Sequence, residues 1–389
     1  MAPLDGIKVI DLTRVLAGPF CTMLLGDMGA EIVKIEEPES GDESRGWAPF
    51  VDGWSSYFLG VNRGKKSVAL DLKTPHGVAA LQALIMTADV LVENFRPGSL
   101  SQLGFGFSDV ERMNPALVYC SISGYGQTGP RSQEPGYDVV IQGEAGFMDV
   151  TGSPDGPPTR AGVAVTDYLA GLYAMQGILL ALIDRQRTGR GQHVDIALLD
   201  SLMSVMTLPL GIFWATGRAP HRMGNDHPSV APYETFQASN GSIVVAVGNP
   251  RLWTQFCEAV GAECLAADAR FQTNTDRLAN RHALKAAIEA LFAPFTVDEI
   301  LALLRARQVP CGRVRTVEEA IADPQLQARD MVLQFEVPGL GTVKNIGNPI
   351  KLSRAQHRVA HAVPRLGEHT AEVLEALDLE SVPAENVNG

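Results

Sequence analysis

Leu4-Asp5-Gly6-Ile7-Lys8-Val9-Ile10-Asp11-Leu12 alternates apolar and polar side chains and stops at Thr13-Arg14. Gly18-Pro19 then opens a helical spacing through Phe20, Met23, Leu24 and Met28, with proline where a first turn tolerates it, and Glu31 to Ile35 forms a second β run. A strand, a helix and a strand in this order predict a parallel α/β sheet with a crossover connection. The alternation continues outward. Residues 67–72 read as a strand, 75–87 as a helix and 89–93 as a strand closing on Asn94-Phe95-Arg96-Pro97-Gly98. Short helices near 99–103 and 108–113 lead to a strand at 117–122, which together predict a doubly wound sheet.

Residues 124–136 are rich in Gly and Pro and read as a loop, and 137–147 as a helix. Gly162-Val163-Ala164-Val165-Thr166-Asp167 is a β-branched run that climbs to an aspartate. Helical spacing then continues through Leu172, Met175, Leu179 and Leu182 to Arg187, before Thr188-Gly189. A strand at 193–197 precedes a helix from Asp200 toward Trp214. Residues 216–232, dense in Gly, Pro, Asn and His, are expected to be a linker. Beyond it, Ser239-Asn240-Gly241 marks a hairpin, and helices are expected near 250–260, 276–292 and 296–307. Strands return at 332–337 and 342–346, a helix closes at 370–377, and the final dozen residues read as frayed. The expected domains are therefore a large one over 1–215, the linker 216–232, a small α+β domain over 233–325, and 326–389 returning to the large domain.

The chain has 389 residues, 46% hydrophobic and 20% charged, with a net charge of −12. That charge argues against a nucleic-acid-binding surface but not against a local basic pocket for an anion. Five cysteines without a CxxC pair read as reduced thiols, and the expected setting is the cytoplasm. The chain opens on a strand pattern, not on a signal peptide, and charge or Gly interrupts its apolar stretches, so no membrane span is expected.

Asp167, at the expected start of a helix, fits two readings. Aspartate is a preferred N-cap, and a carboxylate held ionised by a helix N-terminus is also a candidate nucleophile toward activated acyl groups. Asp138 opens a second helix in the same way. Gly124-Tyr125-Gly126-Gln127-Thr128-Gly129 matches GxGxxG, but Pro130 and Pro135 forbid the helix a dinucleotide site needs. Arg45, the Arg63-Gly64-Lys65-Lys66 run and Arg96 sit near expected strand ends, where they suit either a polyphosphate ligand or solvated surface charge. No HExxH or Cys/His cluster occurs, His361 and His369 are too far apart to pair on a helix, and GxSxG is absent.

Taken in order, LDGIKVIDLTRVLAGPFCTMLLGDMGAEIVKIE, Gly41-Asp42-Glu43-Ser44-Arg45, NRGKKS, DVLVENFRPG, SISGYGQTGP, TDYLAG, TGRGQHVDIALLD and LGEHT resemble the class III CoA-transferases. The resemblance spans residues 4–375. It implies a Rossmann-like large domain built from both chain ends, a smaller middle domain, and two subunits interlocked as rings. It implies Asp167 as catalytic aspartate, passing through an acyl anhydride and then an aspartyl-CoA thioester. It also implies a substrate pocket at Val15, Leu16, Ala17, Tyr125, Tyr137 and Asp138, and CoA contacts at Arg45, Lys65, Lys66, Leu70, Asn94, Phe95, Arg96 and Leu103. CoA thioesters and small carboxylic acids are then the partners, with no permanently bound cofactor, no metal, no nucleic acid and no membrane.

Family members that racemise acyl-CoA carry a histidine where this chain has Tyr137, and a tyrosine is no base at neutral pH without a large shift, which favours transfer. Leu16 and Ser123 replace a Gln and a Lys of the formyl-CoA enzyme, and the wording looks more like members using succinyl-CoA and dicarboxylic acceptors such as glutarate. An acyl-CoA racemase remains the alternative within the family. Outside it, a dinucleotide-binding protein or a silent partner subunit remains.

Overall fold

The computed structural model describes residues 2–355 and 362–377. His361 and the last dozen residues therefore lie outside the described part. The chain divides into two compact units, one of residues 1–147, 160–218 and 325–389, the other of 148–159 and 219–324.

The first unit is built on six parallel strands: β1 (Lys8–Asp11), β2 (Glu31–Glu36), β3 (Lys65–Ala69), β4 (Val90–Glu93), β5 (Val118–Ser123) and β6 (His193–Ala197). Their order is β3-β2-β1-β4-β5-β6, the doubly wound order of a dinucleotide-type sheet. Register pairs Val9 with Ile32 on one side and with Val90 on the other, so chain direction switches sides between β1 and β4. Ligands of such sheets sit beyond the carboxyl ends of the strands at that switch.

Alternation along the strands feeds two cores. Val9, Val90, Val92, Val118, Cys120 and Ile122 face helix α1 (Ala17–Asp27) and the long helix α2 (Val165–Thr188). Ile10, Leu12, Val33, Val68, Leu91 and Tyr119 face Ala80, Leu81, Leu84 and Ile85 of the helix Pro75–Met86. Helix α2 is long and apolar enough to cross a bilayer, but Ala170, Ala174, Met175 and Ile178 are buried in the first core. Gly171 lets α2 cross the start of α1 at backbone distance: a Cβ there would lie 2.7 Å from the Ala17 carbonyl oxygen. That crossing brings Asp167, one turn earlier on α2, beside residues 15–17.

The strand expected at 67–72 begins two residues earlier, because Lys65 is interior and not part of a surface loop. Its ammonium, fully buried, contacts Asp11 (3.0 Å), the Pro19 carbonyl (2.9 Å) and Asn62 (3.0 Å). Lys34, also fully buried, pairs with Asp42 at 2.9 Å and donates to the Thr13 carbonyl at 2.6 Å. The lysines and the Thr13 and Thr22 hydroxyls hold the Asp11 carboxyl well below the usual carboxylate range against the opposing effect of burial, while burial brings Lys65 down to about 8, still charged at neutral pH.

The helix expected from Asp200 to Trp214 is two pieces, Leu198–Met203 and α3 (Thr207–Thr216). Near the C-terminus, Gly367 N–H donates to the Ser67 hydroxyl, His369 N–H to the Ser67 carbonyl, and Ala69 N–H to the Thr370 hydroxyl. The LGEHT motif therefore covers the edge of β3, where unpaired backbone groups would otherwise be exposed.

In the second unit the expected hairpin forms between Tyr233–Ala238 and Gly241–Ala246, with Cys311–Arg313 as third strand. Phe236, Ile243, Val245, Phe256, Ile288, Phe292 and Leu304 make its core. The unit also takes in 148–159, which sequence patterning leaves in the large domain. Arg222 holds that segment through the Gly156 (3.1 Å) and Asp149 (3.0 Å) carbonyls, and Gly224 N–H donates to Gly152.

Candidate active site

Between the ends of β1 and β4 a cavity of about 180 Å³ opens at the switch point. Its floor is the loop Thr13-Arg14-Val15, and almost every backbone polar group of that loop has a side-chain partner. Asp11 accepts the Thr13 N–H (2.9 Å) and Lys34 donates to its carbonyl. Asn94 accepts the Arg14 N–H (2.9 Å) and donates to the Arg14 carbonyl (2.8 Å). Asp42 accepts the Val15 N–H at 3.1 Å. These contacts hold Val15 at a φ of 71°, a conformation a β-branched residue adopts only when its surroundings impose it. The buried Lys65–Asp11 and Lys34–Asp42 pairs are thus part of the support of this loop.

Asp167 lines the cavity, together with Val15, Leu16, Ala17, Tyr137, Asn94, Phe95 and Arg96. Sequence patterning places a strand before it. The structure has none: residues 160–164 are irregular, helix α2 starts at Val165, and Asp167 is its third residue, with Ala164 at the cap position. Among the described residues no donor is within hydrogen-bond distance of its carboxylate. At this group the charge-stabilising effect of the helix start is opposed by desolvation and by a neighbouring like charge. Burial, and then the Asp138 carboxylate, push it from the ordinary 3.8 up to about 7. A rise of that size is roughly 4 kcal/mol against the anion, more than the ~1–2 kcal/mol a helix terminus provides.

Asp138 stands behind Asp167, outside the cavity lining. It is the first residue of the helix Asp138–Glu144, but its side chain serves the other helix. One carboxylate oxygen accepts the Thr166 N–H at 2.9 Å, and the other accepts from the Gln142 amide at 2.7 Å. Gln142, fully buried, in turn accepts the Ala161 N–H at 2.8 Å. Asp138 and Gln142 therefore satisfy an otherwise unpaired N–H of the first turn of α2 and fix the chain entering it.

The expected CoA contacts divide. Asn94, Phe95 and Arg96 lie on the cavity, and Glu93 supports them by accepting the Phe95 N–H at 2.8 Å, its own carboxyl raised to about 7 by burial. Arg45 is held inside the fold. It makes two 2.7 Å contacts to Glu36, stacks 3.6 Å from the Phe58 ring centroid and donates to the Pro364 carbonyl. Lys65 is buried on Asp11 and has no surface to offer a phosphate. Lys66 pairs with Glu31 and Glu372 at the opposite, amino-terminal end of the sheet. Leu70 belongs to the second core, and Leu103 is exposed away from the cavity lining. Tyr125 packs on the first core beneath Arg131, 4.1 Å from its guanidinium, and not on the cavity.

Sequence patterning missed Arg14, Glu43 and Glu134, which line the cavity, and Gln142, which fixes α2. The position of Arg14 three residues beyond the end of β1, at the switch point, is the signal that could have found it. Gly124 of the GxGxxG match lies against the backbone of Gly136, with a Cβ 2.8 Å from its Cα, so this glycine serves a loop-to-loop approach. Among the described residues no group of three or more His, Cys, Asp or Glu side chains is placed to hold a metal.

Residues 4–370 match the model of CoA-transferase family III. The chain is 40% identical to the succinate–glutarate CoA-transferase of Agrobacterium fabrum, over 97% of this chain and 96% of that protein. It is 44% identical to the acetyl-CoA:oxalate CoA-transferase of Acetobacter aceti, over 90% and 89%. A crystal structure of a CaiB/BaiF family protein from Brucella suis superposes with a TM-score of 0.86 at 41% identity, covering 97% of this chain and all of that one. Identity of this order along nearly the whole length makes the chain a member of CoA-transferase family III, an enzyme that moves coenzyme A between a thioester and a carboxylic acid.

Proposed function

We propose that the enzyme exchanges CoA between a succinyl-CoA-type donor and a short dicarboxylic acid through a covalent thioester on Asp167. The observation that carries this reading is a half-buried carboxylate with no hydrogen-bond donor on it, lining a small cavity at the switch point. A carboxylate with no donor on it is a better nucleophile than one tied up by donors. The Asp167 oxygen attacks the thioester carbonyl, the C–S bond breaks, and an aspartyl anhydride and CoA thiolate result. The thiolate then attacks the aspartyl carbonyl, releasing the donor acid and leaving Asp167 bound to CoA through sulfur. The acceptor carboxylate reverses both steps. The first amides of α1, at Ala17 and Gly18, have no intrahelical acceptor and supply donors for the oxyanion. Asn94, Phe95 and Arg96 are the CoA side of the site.

The dicarboxylic preference rests on relatives named for glutarate, mesaconate and oxalate. The experiment is a panel of CoA thioesters against free mono- and dicarboxylic acids, with exchange read by mass. Transfer confined to monocarboxylic acids, or deuterium exchange at the α-carbon without transfer, would sink this reading.

A homodimer in the cytoplasm is part of the proposal. The scattered free cysteines suit a reducing setting. Helix α3 is apolar yet buries none of its residues, with Trp214 75% exposed, and Leu172, Leu180 and Ile183 leave a second exposed stripe on α2. Patches of this kind mark association surfaces, and a second copy of the chain is the proposed cover. Sedimentation should give a dimer at micromolar concentration; a monomer there would remove this part.

Asp138 is expected to act through Asp167. In Asp138→Asn the negative charge behind Asp167 is gone, so the acid limb of the pH–rate profile moves to lower pH. The new amide also faces the Gln142 amide donor-to-donor, which loosens the start of α2 and lowers kcat by about 10- to 100-fold. A mere packing role would lower kcat without moving the acid limb.

A further inference from the structure

We propose that Arg14 is the residue that reads the second carboxylate of the acid substrate, an assignment that rests on the dicarboxylic reading above. Three observations converge on it. The first is placement: Arg14 lines the cavity that holds Asp167, on the loop leaving β1 at the switch point. The second is rigidity. Both backbone groups of Arg14 are clamped by the Asn94 side chain, at 2.9 and 2.8 Å, and the guanidinium lies 5.4 Å from the centroid of the Phe95 ring, so the cation is presented from a fixed base.

The third is availability. Arg45 and Arg63 are locked in two-point pairs with Glu36 and Asp27, with contacts of 2.7–3.0 Å. Among the described residues the one acidic partner of Arg14 is Glu43, at 3.8 Å, beyond hydrogen-bond distance, and the Arg14 side chain is half exposed. A guanidinium so placed has its fork of donors open to an incoming carboxylate, which it recognises in two-point geometry.

The volume of the cavity narrows the ligand. About 180 Å³ is well below the roughly 300 Å³ of the smallest sites that enclose a drug-sized molecule, so it takes the acyl or acid chain and not the nucleotide end of CoA. Its apolar lining, at Leu16, Ala17, Ile122 and Leu198, suits the methylene chain between two carboxyl groups. One carboxylate then meets Asp167 for transfer and the other meets Arg14. Arg96, also on the cavity but on the Asn94–Gly98 loop, remains for the anionic part of CoA. Glu43 is the competitor: its carboxylate holds Arg14 weakly when no acid is bound and must give way to the substrate's.

The test compares wild type with Arg14→Met, Arg14→Lys and Glu43→Gln. A dicarboxylic acceptor and a monocarboxylic acceptor of the same chain length are used, with acetyl-CoA as donor so that only the acceptor carries the second carboxylate. Arg14→Met should cut the dicarboxylate-to-monocarboxylate ratio of kcat/KM by about 10- to 100-fold, the loss falling on KM for the dicarboxylic acid. Arg14→Lys should fall between Met and wild type, because a point charge replaces one arm of the fork. Glu43→Gln should lower KM for the dicarboxylic acid several-fold.

Equal losses on both acids in Arg14→Met, or a matching rise in the Kd of free CoA, would overturn the assignment while leaving the dicarboxylic reading standing. A wild-type enzyme that transfers CoA to monocarboxylic acids alone would overturn both.

Discussion

Asp167→Asn is expected to lose CoA transfer by roughly 10⁴-fold or more, while free CoA still binds within a few-fold of wild type. Asparagine keeps the shape of the side chain and removes the attacking oxygen anion, so the loss belongs to chemistry and not to folding. The same residue sets the pH dependence. The nucleophile is the anion, and its ionisation is raised to about 7 by burial and by Asp138. The first-step kcat/KM for the donor thioester should therefore fall tenfold per pH unit below about 7 and level off above it.

Stability should move the opposite way. A carboxyl whose folded pKa is raised contributes stability fully below its ordinary value near 3.8 and loses it as pH rises through about 7. Asp167→Asn, neutral at every pH, should then melt higher than wild type at pH 8 and show less of that gain at pH 5. An inactive variant that is more stable than its parent is the behaviour of a site residue held against its own preference. Equal melting temperatures at pH 8 would mean that the carboxylate is not desolvated.

Lys65→Met is expected to destabilise the large unit by about 3–5 kcal/mol in denaturant unfolding, the usual consequence of leaving one charge of a buried pair without its partner. Asp11, fully buried, would keep its Thr13 and Thr22 partners but lose the nearest cation. Since Asp11 also holds Thr13 below the cavity, the loss should reach activity as well as stability. The double variant Asp11→Asn/Lys65→Met should recover part of the stability, because neither residue is then an unpaired charge. A loss under about 1 kcal/mol for Lys65→Met would contradict the interior placement of this lysine, since surface pairs contribute no more than that.

The contrast between these two residues indicates what was legible in the sequence. The strand–helix–strand pattern of residues 4–36 and the helix through Leu172, Met175 and Leu179 are local periodicities, and both appear where expected, within a few residues. Asp167 was legible as a residue in the first turn of a helix for the same reason. Lys65 and Lys66 looked alike, two lysines in a polar run. Their different fates are set by Asp11, 54 residues away in sequence, and by Glu31 and Glu372 at the far end of the sheet.

The raised pKa of Asp167 was invisible for a similar reason, because both its burial, the larger cause, and the approach of Asp138 behind it come from the packing of two helices. The fixed loop at Thr13–Val15 depends on side chains from residues 11, 34, 42 and 94. Each of these lies inside one of the stretches that resemble the family, although composition and spacing gave them no role. Those stretches thus supply both most of the residues that line the cavity and the side chains that hold its loop in place.

The most direct measurement is peptide mass analysis of wild-type enzyme incubated with donor thioester and no acceptor acid, then digested under acid conditions that preserve thioesters. The covalent route predicts that the peptide containing Asp167 gains the mass of coenzyme A less one water, that the adduct disappears when acceptor acid is added, and that it never forms in Asp167→Asn. A thioester on another residue would contradict it, as would full transfer activity with no adduct at Asp167.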